Sequence, residues 1–230
     1  MRALFQRDLQ LRETYVVDGK ALHHLVNVIR IDEGEELLLL RGDGLRVLTK
    51  VERISKKALQ LSFLEDRSAT RAYHFDLALG APKREALELC LKQATELGFR
   101  KLYLIRSDFS QQRIPEEERL ENLLVSALEQ SNGAFLPELH SVSWESLPWE
   151  EYASVVLLDS QTGRSDSLEK LERTAPALLV VGPEGGFSQR EIELLHATPA
   201  AKIVKLPTPI LRSPTAVAVG AGLMLQSLLD

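Results

Sequence analysis

From residue 75 onward the chain alternates short apolar runs with longer amphipathic stretches, and this alternation constrains the fold more than any other feature. Phe75–Gly80, Lys101–Ile105, Val155–Leu158, Ala177–Val181 and Ile203–Leu206 read as short buried strands. Between them, Arg84–Leu97 has helical spacing, with Leu87, Cys90, Leu91, Ala94 and Leu97 predicted to face inward. Gly98 stands where a left-handed C-terminal cap is wanted. A second helix is predicted from Pro115, with Glu116, Glu117 and Glu118 set against its N-terminal dipole. The last helix is predicted to start with Ser213 as cap and Pro214 at its first position. It is apolar nearly all round through Gly220, Gly222 and Met224, which implies burial, with a second subunit as one possible cover. Buried strands alternating with helices define a mostly parallel sheet covered on both faces.

The first seventy residues have a different texture. Glu36–Leu40 is an apolar run, Arg41-Gly42-Asp43-Gly44 supplies turn residues, and Leu45–Val51 and Ala58–Phe63 alternate as half-buried strands do. A short helix is expected from Gly19 or Lys20 through Asn27, with Leu22, Leu25, Val26 and Ile29 on one side. The polar stretch Glu65–Arg71 carries neither period and is read as the linker, giving domains at 1–70 and 71–230.

Composition narrows the class. Hydrophobic residues at 44% and charged residues at 27% suit a globular protein, and no apolar run is long enough to suggest a membrane span. The start, Met1-Arg2-Ala3-Leu4, lacks the apolar core of a signal peptide. A lone cysteine, Cys90, excludes an internal disulfide framework and fits the reducing cytoplasm. No Cys/His cluster has metal-ligand spacing, so no metal is expected. The net charge of −5 is unevenly distributed: residues 1–72 hold 13 Lys/Arg against 11 Asp/Glu, whereas the remainder holds 15 against 22. The first segment is therefore the better candidate for phosphate contacts, through Arg30, Arg41 and Arg46.

Three strings could carry chemistry. Leu178–Val181 runs straight into Gly182-Pro183-Glu184-Gly185-Gly186-Phe187-Ser188, a tight turn at a strand end, where such sheets bind ligands. Ser188 and Glu191 then form a capping box for the next helix. The string is neither GxGxxG nor GxxxxGK[ST]. The second is Leu206–Ala216, a proline-stiffened apolar segment that suits a flat adenine ring. The third is Leu128-Glu129-Gln130-Ser131-Asn132 at a helix end, with Lys92, Gln93, Thr95 and Glu96 as further polar candidates. Turns, connectors, helix ends and solvated charges explain each string as ordinary structure, and residue types alone leave that alternative standing.

Taken together the strings resemble the ribosomal small-subunit RNA methyltransferase E family of the SPOUT superfamily. The resemblance runs through His23–Arg30, Lys92–Gly98, Glu129-Gln130-Ser131 with Leu136-Pro137, Gly182–Ser188, and Ile210-Leu211-Arg212 with Thr215-Ala216. It implies a PUA-like or OB-like β-barrel that holds RNA, followed by an α/β methyltransferase domain with a trefoil knot, working as a homodimer. It implies S-adenosylmethionine as cofactor, in a pocket including Leu158, Gly182, Pro183, Glu184, Gly185, Gly186, Leu206, Ile210, Leu211 and Ala216. It implies methylation of N3 of a uridine in small-subunit ribosomal RNA, with that RNA or the subunit as partner. Arg212 is then the candidate for stabilising charge on the uracil, and Glu129 and Gln130 for recognising or deprotonating it. The chain departs from the family pattern at Gly133, where an arginine is usual, and at Pro207, Pro209, Ser213 and Pro214. Those departures leave room for another RNA or base atom, or for a non-catalytic RNA-binding or ribosome-assembly relative.

Overall fold

A computed structural model describes residues 1–110, 115–158, 166–168 and 170–229. Contacts divide the chain into two compact units, 1–71 with 125–136, and 72–124 with 137–230.

In the first unit, β1 (Arg2–Phe5), β2 (Thr14–Val17), β3 (Glu36–Leu40), β4 (Arg46–Ile54) and β5 (Leu59–Asp66) form one sheet in the order β1-β3-β4-β5-β2. Only the β1–β3 pair is parallel. Two register shifts in β4–β5, at Leu48/Thr49 and Val51/Arg53, bend these long strands. The run of leucines in β3 is explained by burial on both faces. Leu37 and Leu39 join a core with Val17, Leu25, Val47, Leu59 and Leu61, while Leu38 and Leu40 pack with Ala3, Leu48 and Leu128. The predicted helix is α1 (Gly19–His23), continued to Ile29 by a wider turn that ends on Arg30 in the left-handed conformation (φ 58°). β5 extends through Glu65 and Asp66, so the irregular stretch begins only at Arg67.

The second unit holds β6 (Phe75–Gly80), β7 (Lys101–Arg106), β8 (Glu138–Ser143), β9 (Ser154–Leu158), β10 (Ala177–Val181) and β11 (Ala201–Val204), all parallel, in the order β11-β9-β10-β6-β7-β8. β6 and β10 are central and buried throughout, which is why their sequences run apolar without alternation. One face carries Trp144, Leu147, Tyr152 and, from α4 (Gln189–Ala197), Leu195. α5 (Ser213–Gln226) packs with α2 (Arg84–Glu96) and lies on β9 and β10. β11 ends at Val204, two residues before the predicted Leu206. α3 (Glu117–Ser131) begins two residues after the predicted Pro115, and Gly98 takes φ +73° at the end of α2 as expected.

One buried charge interrupts β6. Asp76 is fully buried and accepts from Arg100 Nε (3.0 Å) and Nη2 (2.7 Å), from the Lys101 amide (3.0 Å) and from the Tyr152 hydroxyl (2.8 Å). Burial is the largest of the effects that push the Tyr152 hydroxyl's pKa up, so Tyr152 serves as a donor. This network ties β6, β7 and the segment before β9 at the N-terminal edge of the sheet, opposite the loop-bearing edge. Asp76→Asn is expected to lower unfolding free energy by about 3 kcal/mol in urea titration, because it leaves Arg100 without its counter-charge. A loss below about 1 kcal/mol would show that the network contributes little.

Candidate functional site

The strand order places a crossover reversal at the centre of the second sheet. From β6 the chain proceeds to β7 on one side, while β10 sits on the other. The carboxyl ends of β6 and β10 therefore lie side by side, with Leu79 opposite Val181. Open α/β sheets bind ligands at such a point, and here the two strands run into Gly80 and Gly182.

The loop after β10 is fixed from several directions. A Cβ on Gly80 would lie 2.6 Å from Pro183 Cδ, so the absence of a side chain there lets Pro183 press onto the end of β6. The Gly186 amide donates to the Pro183 carbonyl (2.9 Å), closing a turn with Gly186 at φ +72°. The Glu184 carboxylate accepts from the Lys83 amide (3.0 Å) at the start of α2. The Ser213 hydroxyl donates to the Gly182 carbonyl (3.0 Å).

This last bond corrects the predicted cap of α5. Ser213 is already inside the helix, Arg212 occupies the cap position without a side-chain cap bond, and Pro214 lies in the first turn. The serine hydroxyl goes to Gly182, a partner 31 residues away that local sequence does not reveal. Farther along α5, a Cβ on Gly220 would lie 2.6 Å from Leu179 Cδ1 and 3.3 Å from Leu158 Cδ1, so the helix sits close on β9 and β10. Ala216, Gly220, Ala221 and Met224 are buried, whereas Gly222 is exposed and Ala218, Val219, Leu223 and Leu225 are partly exposed, so burial covers one face of α5 and not all round.

Of the sequence-predicted pocket residues, Gly182 is tied to the start of α5 through Ser213, Leu158 ends β9 close to Gly220 of the same helix, and Ala216 is buried in α5. Leu206 and Leu211 are half-buried, while Ile210 is 75% exposed. Arg212 is exposed at the helix start.

α4 starts with the capping box expected from Ser188 and Glu191. The structure adds a partner that sequence reasoning missed. Glu191 is fully buried; one oxygen accepts from the Ser188 amide (2.8 Å) and the other from the Asp108 amide (3.0 Å). Ser188 Oγ in turn donates to Asp108 Oδ2 (2.6 Å). Gly80 was missed as well; a glycine closing an apolar strand was its only signal.

Glu129 and Gln130 belong to the first unit. Glu129 accepts from the Phe5 amide (2.8 Å), and burial is the main cause that raises its pKa. Gln130 is exposed. The helix closes on Asn132 (φ 53°) and Gly133, where a Cβ would lie 2.8 Å from Leu128 Cδ1. Arg30 is exposed. Arg41 bonds Asp43 and the Leu9 carbonyl, and Arg46 bonds the carbonyls of Arg67 and Asn132. Both arginines thus hold loops of the first unit in place. No helix is long and apolar enough to cross a membrane, and no cluster of His, Cys, Asp or Glu is arranged for a metal, among the described residues.

Residues 69–225 match the family described as an RNA methyltransferase domain, and residues 17–64 match an RNA methyltransferase PUA domain. Fold, loop and matches together define the class, an RNA methyltransferase domain carrying a PUA domain. More narrowly, the chain belongs to the ribosomal RNA small subunit methyltransferase E family. It is 31% identical to the family member from Mycobacterium bovis over 226 residues, covering 90% of this chain and 84% of that relative. It is 23% identical to the member from Bacillus subtilis over 210 residues, covering 84% and 82%. The crystal structure of the Neisseria gonorrhoeae member, bound to S-adenosyl methionine, superposes with a TM-score of 0.83 at 20% identity, over 98% of this chain and 97% of that one.

Glu129 gives a pH test of the first unit. Its folded-state pKa is raised above 4.5, so the native state holds this proton more tightly than the unfolded chain does. Its contribution is therefore present at low pH and is lost as pH rises from about 4.5 through the raised folded value. Urea titrations of wild type and Glu129→Gln across that window are expected to show the variant gaining relative stability with rising pH. A constant difference would contradict the assignment.

Proposed function

We propose that this protein methylates N3 of a uridine in small-subunit ribosomal RNA, with S-adenosylmethionine as methyl donor. The observation that carries the reading is the Gly182–Gly186 loop, fixed at the carboxyl edge of the two central strands. Family membership and the names of the relatives support the substrate class.

The residues fit the donor. Gly186 opens onto free space, with nothing within 4 Å of where a Cβ would stand, and Ile210 presents uncovered apolar surface on the Leu206–Ala216 segment. In this reading Leu158, Gly182, Pro183, Glu184, Gly185, Gly186, Leu206, Ile210, Leu211 and Ala216 form the donor pocket. Glu184 shapes it through the Lys83 amide. When bound, the donor supplies a methyl group already activated by its sulfonium. The protein then has to orient the base and accommodate the negative charge left when N3 loses its proton. Arg212, an exposed cation at the start of α5, is the candidate for stabilising developing charge. Glu129 and Gln130 are the candidates for accepting that proton and for recognising a base edge, and Gln130 is exposed. Arg30 is the phosphate contact among the three candidate arginines, since Arg41 and Arg46 use their guanidinium groups internally.

The same reading includes the trefoil knot and the homodimer of the family. Knots are rare among folds, and this one is inferred from family membership; the partly exposed face of α5 supports a second subunit. It also places the protein in the cytoplasm, where ribosomal RNA is met.

The test is methyl transfer from labelled S-adenosylmethionine to small subunits lacking the modification, followed by nucleoside mass spectrometry. The expected product is 3-methyluridine. Another methylated nucleoside would overturn the N3 assignment, and absence of transfer would overturn the activity. Arg212→Ala is expected to lower the rate at saturating donor and RNA about a hundredfold, and an unchanged rate would remove its role.

A further inference from the structure

Glu191 is more than the fourth residue of a capping box. A capping box needs one carboxylate oxygen, which returns to the cap amide, and here that bond is Ser188 N–H to Glu191 Oε2. The second oxygen, Oε1, accepts the amide of Asp108, 83 residues earlier in the loop after β7. The side chain is completely buried. Ser188 Oγ closes the circuit on Asp108 Oδ2. Next to it, Phe109 packs on the glycine loop, since a Cβ on Gly185 would lie 3.0 Å from Phe109 Cβ. The β7 loop and the Gly182–Ser188 loop are thus clamped together by one carboxylate whose two oxygens face two backbone donors.

We infer that Glu191 is a positioning residue for the donor pocket, acting through the loops it joins. The inference rests on the donor-pocket reading given above. Two backbone amides aimed at one buried carboxylate set the separation of the loops before any ligand arrives, so the pocket wall is preorganised. Glutamine at this position keeps the side-chain length but offers one acceptor oxygen, and its NH2 group then meets an amide that also donates. One buried donor is left unpaired, and the loops must part to solvate it. Aspartate keeps the charge but is too short to reach both amides without drawing the loops together.

Calorimetric titration of S-adenosylmethionine into the full chain, together with thermal unfolding, tests this. Glu191→Gln is expected to weaken donor binding about ten- to hundredfold, the range for lost hydrogen bonds to a charged group, with stoichiometry near one. Asp76→Asn serves as the control, since it destabilises the same sheet from the opposite edge and is expected to leave donor affinity unchanged. If both variants weaken donor binding in proportion to their loss of stability, the role is merely structural and the inference fails. If Glu191→Gln does not fold, Glu191→Asp is titrated in its place with the same expectation. Independently, hydrogen exchange on wild type should show donor protecting residues 107–110 together with 182–188. Protection confined to 182–188 would overturn the coupling. A wild type that binds no donor defeats the donor-pocket reading, whereas equal affinity of wild type and Glu191→Gln defeats only this inference.

Discussion

The approach of Pro183 to Gly80 is the contact on which the candidate site depends. Parallel pairing of β6 with β10 puts Leu79 opposite Val181, so both chains leave the sheet at the same level. Any side chain at position 80 would collide with a rigid proline ring. With glycine there, Pro183 folds down over the end of β6.

The surrounding contacts then hold that backbone. Glu184 reaches the start of α2, Glu191 reaches the loop after β7, and Ser213 brings the start of α5 to the Gly182 carbonyl. Three separate elements are therefore tied to Gly182, to Glu184 and to Glu191 in the first turn of α4 behind the loop. A ligand arriving at such a loop meets geometry already ordered, which lowers the entropic cost of binding. The two polar centres of the second unit divide the work by position. Asp76 secures the N-terminal edge of the sheet, where no loop of the candidate site lies, and the Glu191 cluster organises the C-terminal edge.

Much of this was legible where the signal is local. The continuous apolar runs of β6 and β10, the helical spacing of α2, Gly98 as its cap and the Ser188–Glu191 box all follow from period and neighbouring residues. Partners far away in sequence left no such trace. Nothing near Ser213 indicates that its hydroxyl serves Gly182, and its place beside Pro214 suggested a cap. Nothing near Leu128 shows that it packs with Ala3, Leu38, Leu40 and Leu48. β8 was missed because Glu138-Leu139-His140-Ser141-Val142-Ser143 lies at the sheet edge and needs little apolar sequence. β1 was missed because four residues give too short a pattern. The family resemblance succeeded because it rests on several separated strings in order, which no single period captures.

The central claim is that the Gly182–Gly186 loop and the Leu206–Ala216 segment together hold the methyl donor. A crystal structure of the protein with S-adenosylhomocysteine bound tests it most directly. The account predicts the ligand against Gly182–Gly186, with its adenine covered by the apolar residues around Ile210 and Leu211. Ligand density elsewhere on the molecule, with this loop left bare, would contradict it.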